Sequence, residues 1–154
     1  MICKTVNIKR NMPLVSQAMT QLGNEIWMAK YARCHALKVI HGYGSSGQGG
    51  AIKAACLKLC ADRKKSGVIR HYVRGEDFNP FTADGRKAIE LCPQLKNDVD
   101  YGRQNDGITQ ALLEQQMGVT AEKAIALLDE LETAGVIDFY DGRYYLAKAD
   151  SEEE

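Results

Sequence analysis

Apolar positions along the first half of the chain change period several times, and each change marks an element. Residues 2–8 alternate weakly, Ile2, Lys4, Val6 and Ile8 against Cys3, Thr5 and Asn7, which predicts a short strand. Asn11-Met12-Pro13 reads as a turn with its proline near the first helical position. From Leu14 onward, Val15, Met19, Leu22, Ile26 and Ala29 recur at steps of three and four, so an amphipathic helix runs to about Arg33 with its stripe in the core. Ala36 to Ile40 is a strand short and apolar enough to be central. Ile52, Ala55, Cys56 and Leu59 then mark a second helix, whose other face carries Lys53, Lys58, Arg63, Lys64 and Lys65 and which Ser66-Gly67 ends. Val68 to Arg74 is a strand of strong β formers with Arg70 and Arg74 on one face. The order βαβαβ predicts a mixed or parallel sheet with helices packed on it.

Beyond Gly75 the pattern weakens. Asp77-Phe78-Asn79-Pro80-Phe81 is turn-like, Ala83 to Leu91 reads as a short helix ended by Cys92-Pro93, and residues 97–107 read as solvated polar loop. The aspartates of that loop lack the spacing of a calcium-binding loop. Ile108 to Leu113 fits either a last strand or the start of a helix reaching Met117. A helix opens at Val119-Thr120, with Thr120 as N-cap and Ala124, Ile125, Leu127, Leu128 and Leu131 on its apolar face. Asp141-Gly142 between Val136 and Leu146 is the strongest hairpin signal in the chain. The chain thus divides into an α/β domain over residues 1–113, a helix-plus-hairpin appendage over 114–149 and an acidic tail over 150–154.

The candidate chemistry sits between the second strand and second helix. Lys38-Val39-Ile40-His41 runs into a loop with five glycines between positions 42 and 50. Glycines there let a phosphate approach the backbone, and the amides of a helix start favour an anion. Gly42, Tyr43, Gly44, Ser45, Ser46, Gly47, Gly49 and Gly50 are therefore candidate phosphate contacts, with His41 at the rim. The loop also has the Gly42-x-Gly44-x-x-Gly47 spacing of a dinucleotide fingerprint. A strand and a long helix already precede it, however, and too little chain follows for a doubly wound fold.

Net charge is zero, which hides an asymmetry. Residues 1–75 hold thirteen Lys and Arg against two acids, whereas residues 114–154 hold three against eleven. Such a basic excess suggests a polyanionic partner, and the alternative is that the acidic end simply neutralises it. The five cysteines, an odd number without CxxC spacing, suggest reduced thiols, and Cys56 and Cys60 read as core residues. No apolar run approaches the roughly 20 residues of a membrane span, and the start of the chain lacks a signal layout, so the expected location is cytoplasmic.

With its flanks, Val39-Ile40-His41-Gly42-Tyr43-Gly44 resembles the central motif of the Smr (small MutS-related) domain family, a strand ending in His-Gly-x-Gly before a basic helix. Pro93 to Arg103 and Asn105-Asp106-Gly107-Ile108-Thr109 extend the resemblance, which covers roughly residues 3–113. It implies a two-layer α/β sandwich, a four-stranded sheet with two helices on one face, similar to the C-terminal domain of bacterial translation initiation factor three. It also implies binding of structured DNA or RNA and, in some members, endonuclease or RNase activity. Family members usually carry Leu-Asp-Leu-His-Gly on the first strand, and the matching residues here are Val6-Asn7-Ile8-Lys9-Arg10. An amide replaces the acid and a lysine the histidine, which weakens the case for catalysis and strengthens that for phosphate binding.

Three readings follow from the sequence. In the first the chain binds the phosphate backbone of DNA or RNA through Lys9, Arg10, His41, the Gly42–Gly50 loop, Lys53, Arg70 and Arg74, with Tyr43 stacking on an unpaired base. In the second it is an endonuclease, with His41 as general acid or base, Lys9 and Arg10 stabilising the phosphorane, and magnesium as the cofactor if one is used. In the third the acidic appendage, which resembles a winged helix-turn-helix too acidic to read a groove, binds a protein partner or a second copy of the chain.

Overall fold

The computed structural model describes residues 1–43, 49–115 and 121–147. They form two compact units, Met1–Gln116 and Met117–Glu154. The first is an α/β unit with β1 (Cys3–Asn7), α1 (Val15–Tyr31), β2 (Ala36–Ile40), α2 (Gly49–Lys65), β3 (Ile69–Arg74), α3 (Ala83–Leu91) and β4 (Ile108–Leu113), plus 3₁₀ turns at Gly75–Asp77 and Pro93–Asn97. The strands lie in the order β1-β2-β4-β3, with β1 parallel to β2 and β4 antiparallel to both of its neighbours. Residues 108–113 are therefore the last strand, and they occupy the middle of the sheet. All six are buried, which a strand covered on both faces requires.

Alternation along the strands feeds two cores. Val6, Leu37, Val39, Ala111 and Leu113 join Leu22 and Ile26 of α1 and Ile52, Cys56 and Cys60 of α2. Ala36, Ile108 and Leu112 point the other way, to Phe78, Ala88, Cys92 and Leu95. Helices α1 and α2 thus share one face, and α3 with the Pro93–Asn97 turn covers the other. In β3 the register against β4 shifts between Ile69 and His71. Ile69 joins the first core while Val73, four residues on, joins the second, as a bulge dictates. Arg70 stands at the break itself and Arg74 beyond it, and both are exposed.

Residues 97–107 are a loop with Asn97, Arg103, Gln104 and Asp106 exposed as their polarity predicts, but Asp98, Asp100 and Asn105 turn partly inward. Lys38, in the middle of β2 and largely buried, reaches Asp98 Oδ1 at 2.9 Å and also pairs with Asp100. Gln110 Nε2 donates to Asp98 (3.3 Å) and Asn105 Nδ2 to Asp100 (2.9 Å). Burial pushes the Lys38 pKa down, but the two carboxylates outweigh it and hold the ammonium above its ordinary value. Burial likewise pushes Asp100 up, and Lys38 and Asn105 outweigh it, so its carboxyl stays below the ordinary range.

The second unit contains α4 (Ala121–Thr133), β5 (Ile137–Tyr140) and β6 (Arg143–Leu146), the strands forming an antiparallel hairpin. Asp141 and Gly142 both have positive φ, 51° and 74°, the condition for a type I′ turn. Phe139 and Tyr144 pack across the strands with ring centres 4.8 Å apart and planes tilted by 49°. Thr120, the expected N-cap, lies outside the described residues, as does the acidic tail.

Candidate nucleic-acid interface

Because β1 and β2 are parallel and β2 and β3 both oppose β4, the ends of β1, β2 and β3 and the start of β4 meet on one rim. That is where open α/β sheets bind ligands. Residues 44–48, which include Gly44, Ser45, Ser46 and Gly47, fall outside the described residues, and the rim is built from what flanks them.

His41 is fully buried. Its Nδ1 lies 3.0 Å from the Gly42 carbonyl, which only accepts, so Nδ1 carries the proton. Nε2 then accepts from the Thr109 hydroxyl at 2.9 Å. Burial is the largest influence on the ring and lowers its pKa, the Gly42 hydrogen bond opposing it less strongly and Lys53 adding to it. The ring is therefore neutral and serves to position the turn. The Gly107 carbonyl accepts from both the His41 and Gly42 amides, each at 3.0 Å, which pins the start of the loop to the entry of β4.

His71 is also buried and its pKa is also lowered, chiefly by burial. As pH falls below about 6.5, the unfolded chain takes up protons that the folded chain refuses, so stability is full above that pH and declines below it. Urea midpoints at pH 7.5 and 5.5 should show the loss. A His41 ring that titrates at or above 6.5 by NMR would contradict this placement.

Lys9 and Gly42 come together. A Cβ on Gly42 would stand 3.0 Å from Lys9 Cδ and 3.9 Å from its ammonium nitrogen, so the lysine lies across the turn. Asn7, which stands where the Smr pattern has its acid, accepts the Lys9 amide on its side-chain oxygen at 3.0 Å and so shapes the end of β1. Arg10 turns aside into a groove of about 480 Å³ beside β1, with Asn11 and Gln21. Tyr43 is 62 % exposed, and its ring edge rests on Gly107.

The remaining cations divide. Lys53, in the first turns of α2 after Gly49 and the exposed Gly50, is held by Glu76 at 2.9 Å. Arg74 is held by Asp77 at 2.7 Å, with Glu76 at 3.7 Å. Burial would raise the Glu76 pKa, but Lys53 and Arg74 bring it below the ordinary value. Lys9, Arg10 and Arg70 make no ion pair among the described residues.

Sequence reasoning does not single out Thr109, the Gly107 carbonyl or the Lys53–Glu76 pair, because each is set by strands that meet only in the folded sheet. The clue it does contain is Asn105-Asp106-Gly107, a turn signal directly before β4. Among the described residues, no cluster of three His, Cys, Asp or Glu side chains is placed to hold a metal ion, and no helix is long and apolar enough to cross a membrane. Comparison with family models, with curated proteins and with solved structures finds no match for this chain.

Proposed function

We propose that the chain binds the phosphate backbone of structured DNA or RNA as an Smr-like α/β module. The observation that carries this reading is the meeting of Lys9, a cation without an ion pair among the described residues, with the Gly42 turn at the strand-end rim. Arg10 beside it and the amides of the α2 start add to the same field. Binding is favoured over cleavage by the His41 ring, whose two nitrogens are already engaged inside the protein. Lys53 and Arg74, held by Glu76 and Asp77, contribute position more than free charge.

The test is a gel-shift series with branched DNA and structured RNA, in magnesium or in chelator, over a range of salt. The substrate should shift intact, with affinity falling steeply as salt rises. The double variant Lys9→Ala, Arg10→Ala should lower the log–log salt slope by about 2, one counterion for each phosphate that is no longer neutralised. A slope unchanged in that variant, or cleavage by the parent that His41→Ala abolishes, would overturn the proposal.

A further inference from the structure

Two thiols meet at the edge of the sheet. β1 is an edge strand paired with β2 alone, and its first residue, Cys3, stands opposite Ala36 in the register. Ala36 belongs to the second core together with Cys92, so Cys3 is on the face that α3 covers. The Cys3 sulfur lies 4.0 Å from that of Cys92, across 89 residues of chain, and both are free thiols. Cys3 is exposed and Cys92 is buried, so a reagent from solvent meets Cys3 first. Cys56 and Cys60, by contrast, are both fully buried inside α2 and offer no such entry.

Both sulfurs stand on fixed backbone. Strand pairing holds Cys3. The Cys92 amide donates to the Ala88 carbonyl at 2.9 Å, and the Cys92 carbonyl accepts from the Leu95 amide at 3.0 Å. The contact is therefore a property of the fold, and closing it to an S–S bond of about 2.05 Å asks for a shift of about 2 Å that the two side chains share.

We propose that Cys3 and Cys92 are a modification site, a pair that a small-molecule disulfide converts into a reversible bridge tying the edge strand to the end of α3. Cys3 gives up its proton and attacks one sulfur of the reagent, whose S–S bond breaks, so that a mixed disulfide forms and the first thiol leaves. Cys92 then gives up its proton and attacks the Cys3 sulfur, the mixed bond breaks and the second thiol leaves. Two protein thiols are oxidised and one reagent disulfide is reduced to two thiols. Desolvation of its sulfur, and next the neighbouring Cys92, push the Cys3 thiol up to about 11, so the first step is slow at neutral pH and quickens in alkali. Cys3 is at the end of β1 remote from Asn7 and Lys9, so the bridge does not depend on phosphate binding at the rim.

The full chain is incubated at pH 8.5 with oxidised and reduced glutathione over a range of ratios, quenched with iodoacetamide and mapped by mass spectrometry of its peptides. Thermal unfolding is recorded on the same samples. The expected product is a Cys3–Cys92 bridge within one chain, undone by dithiothreitol, with an unfolding temperature higher by about 5–15 °C, because the bridge closes a long loop in the unfolded chain. Cys3→Ser, at an exposed position that tolerates the change, should abolish both the bridge and the rise. Thiols that stay reduced at every ratio, oxidation that stops at a glutathione adduct on Cys3, a bridge to Cys34 or to a second chain, or a bridge without the rise would each overturn the proposal.

Discussion

Gly75→Ala is expected to destabilise the first unit by about 3 kcal/mol or more, at the upper end of what overpacking costs. An ideal Cβ at Gly75 would fall 1.7 Å from the Asn105 carbonyl oxygen and 2.8 Å from that of Ile108. Both are backbone atoms, so no rotamer change relieves the clash. The end of β3 must move away from the entry of β4. The damage should reach the rim as well, because Asn105 Oδ1 holds the Gly107 amide at 3.0 Å and the Gly107 carbonyl holds His41 and Gly42. Chemical denaturation and the His41 ring resonances would report the two effects together. Gly23→Ala in α1, where a Cβ meets nothing within 4 Å, is the control and should stabilise by about 0.5–1 kcal/mol. Equal stability for the Gly75 variant and the parent would show that the strand ends do not approach this closely.

Lys38→Met is expected to cost about 2–3 kcal/mol at neutral pH, since it removes the shared partner and leaves two partly buried carboxylates close together. Methionine keeps much of the length of the side chain, so the loss reports charge more than volume. The pH dependence identifies the cause. In the parent, the Asp100 carboxyl lies below its ordinary value of 3.8, so the stability it contributes is full above that pH and is lost as pH falls through the depressed value. In the variant the ammonium no longer offsets burial at Asp100, whose carboxyl pKa rises relative to the parent although Asn105 still holds it, so the deficit should be greatest at pH 7 and shrink toward pH 4. Denaturant midpoints for both proteins at the two pH values would show the convergence. Asp98→Asn with Asp100→Asn, added to Lys38→Met, should recover much of the loss. A deficit independent of pH would mean that Lys38 acts by packing alone.

Most of the elements follow from the local pattern. The bounds of β2 and α3 coincide with the predicted strand Ala36–Ile40 and helix Ala83–Leu91, Ile108–Leu113 takes the strand form of the two its residues allow, and Asp141-Gly142 forms the hairpin turn its residues require. In α1, Leu22, Ile26 and Ala29 are buried as their spacing predicts, but Ala18 is inside and Val15 outside.

Periods of two and of three to four, turn chemistry and a glycine-rich junction after a buried strand are all readable from residues 1–154 in order. They depend on backbone sterics and on neighbours a few residues apart. Which strands lie side by side is settled only when the sheet closes, and with it the chemistry of the rim. Inserting β4 between β2 and β3 brings Thr109 and Gly107 to His41, turning a motif histidine into a neutral positioning group. Folding also brings Asp98 and Asp100 to Lys38. The bulge at Arg70 reverses the faces of β3 and sets His71 against Asp84. Each of these pairings joins residues far apart in the chain, and its energy depends on burial that local sequence does not supply.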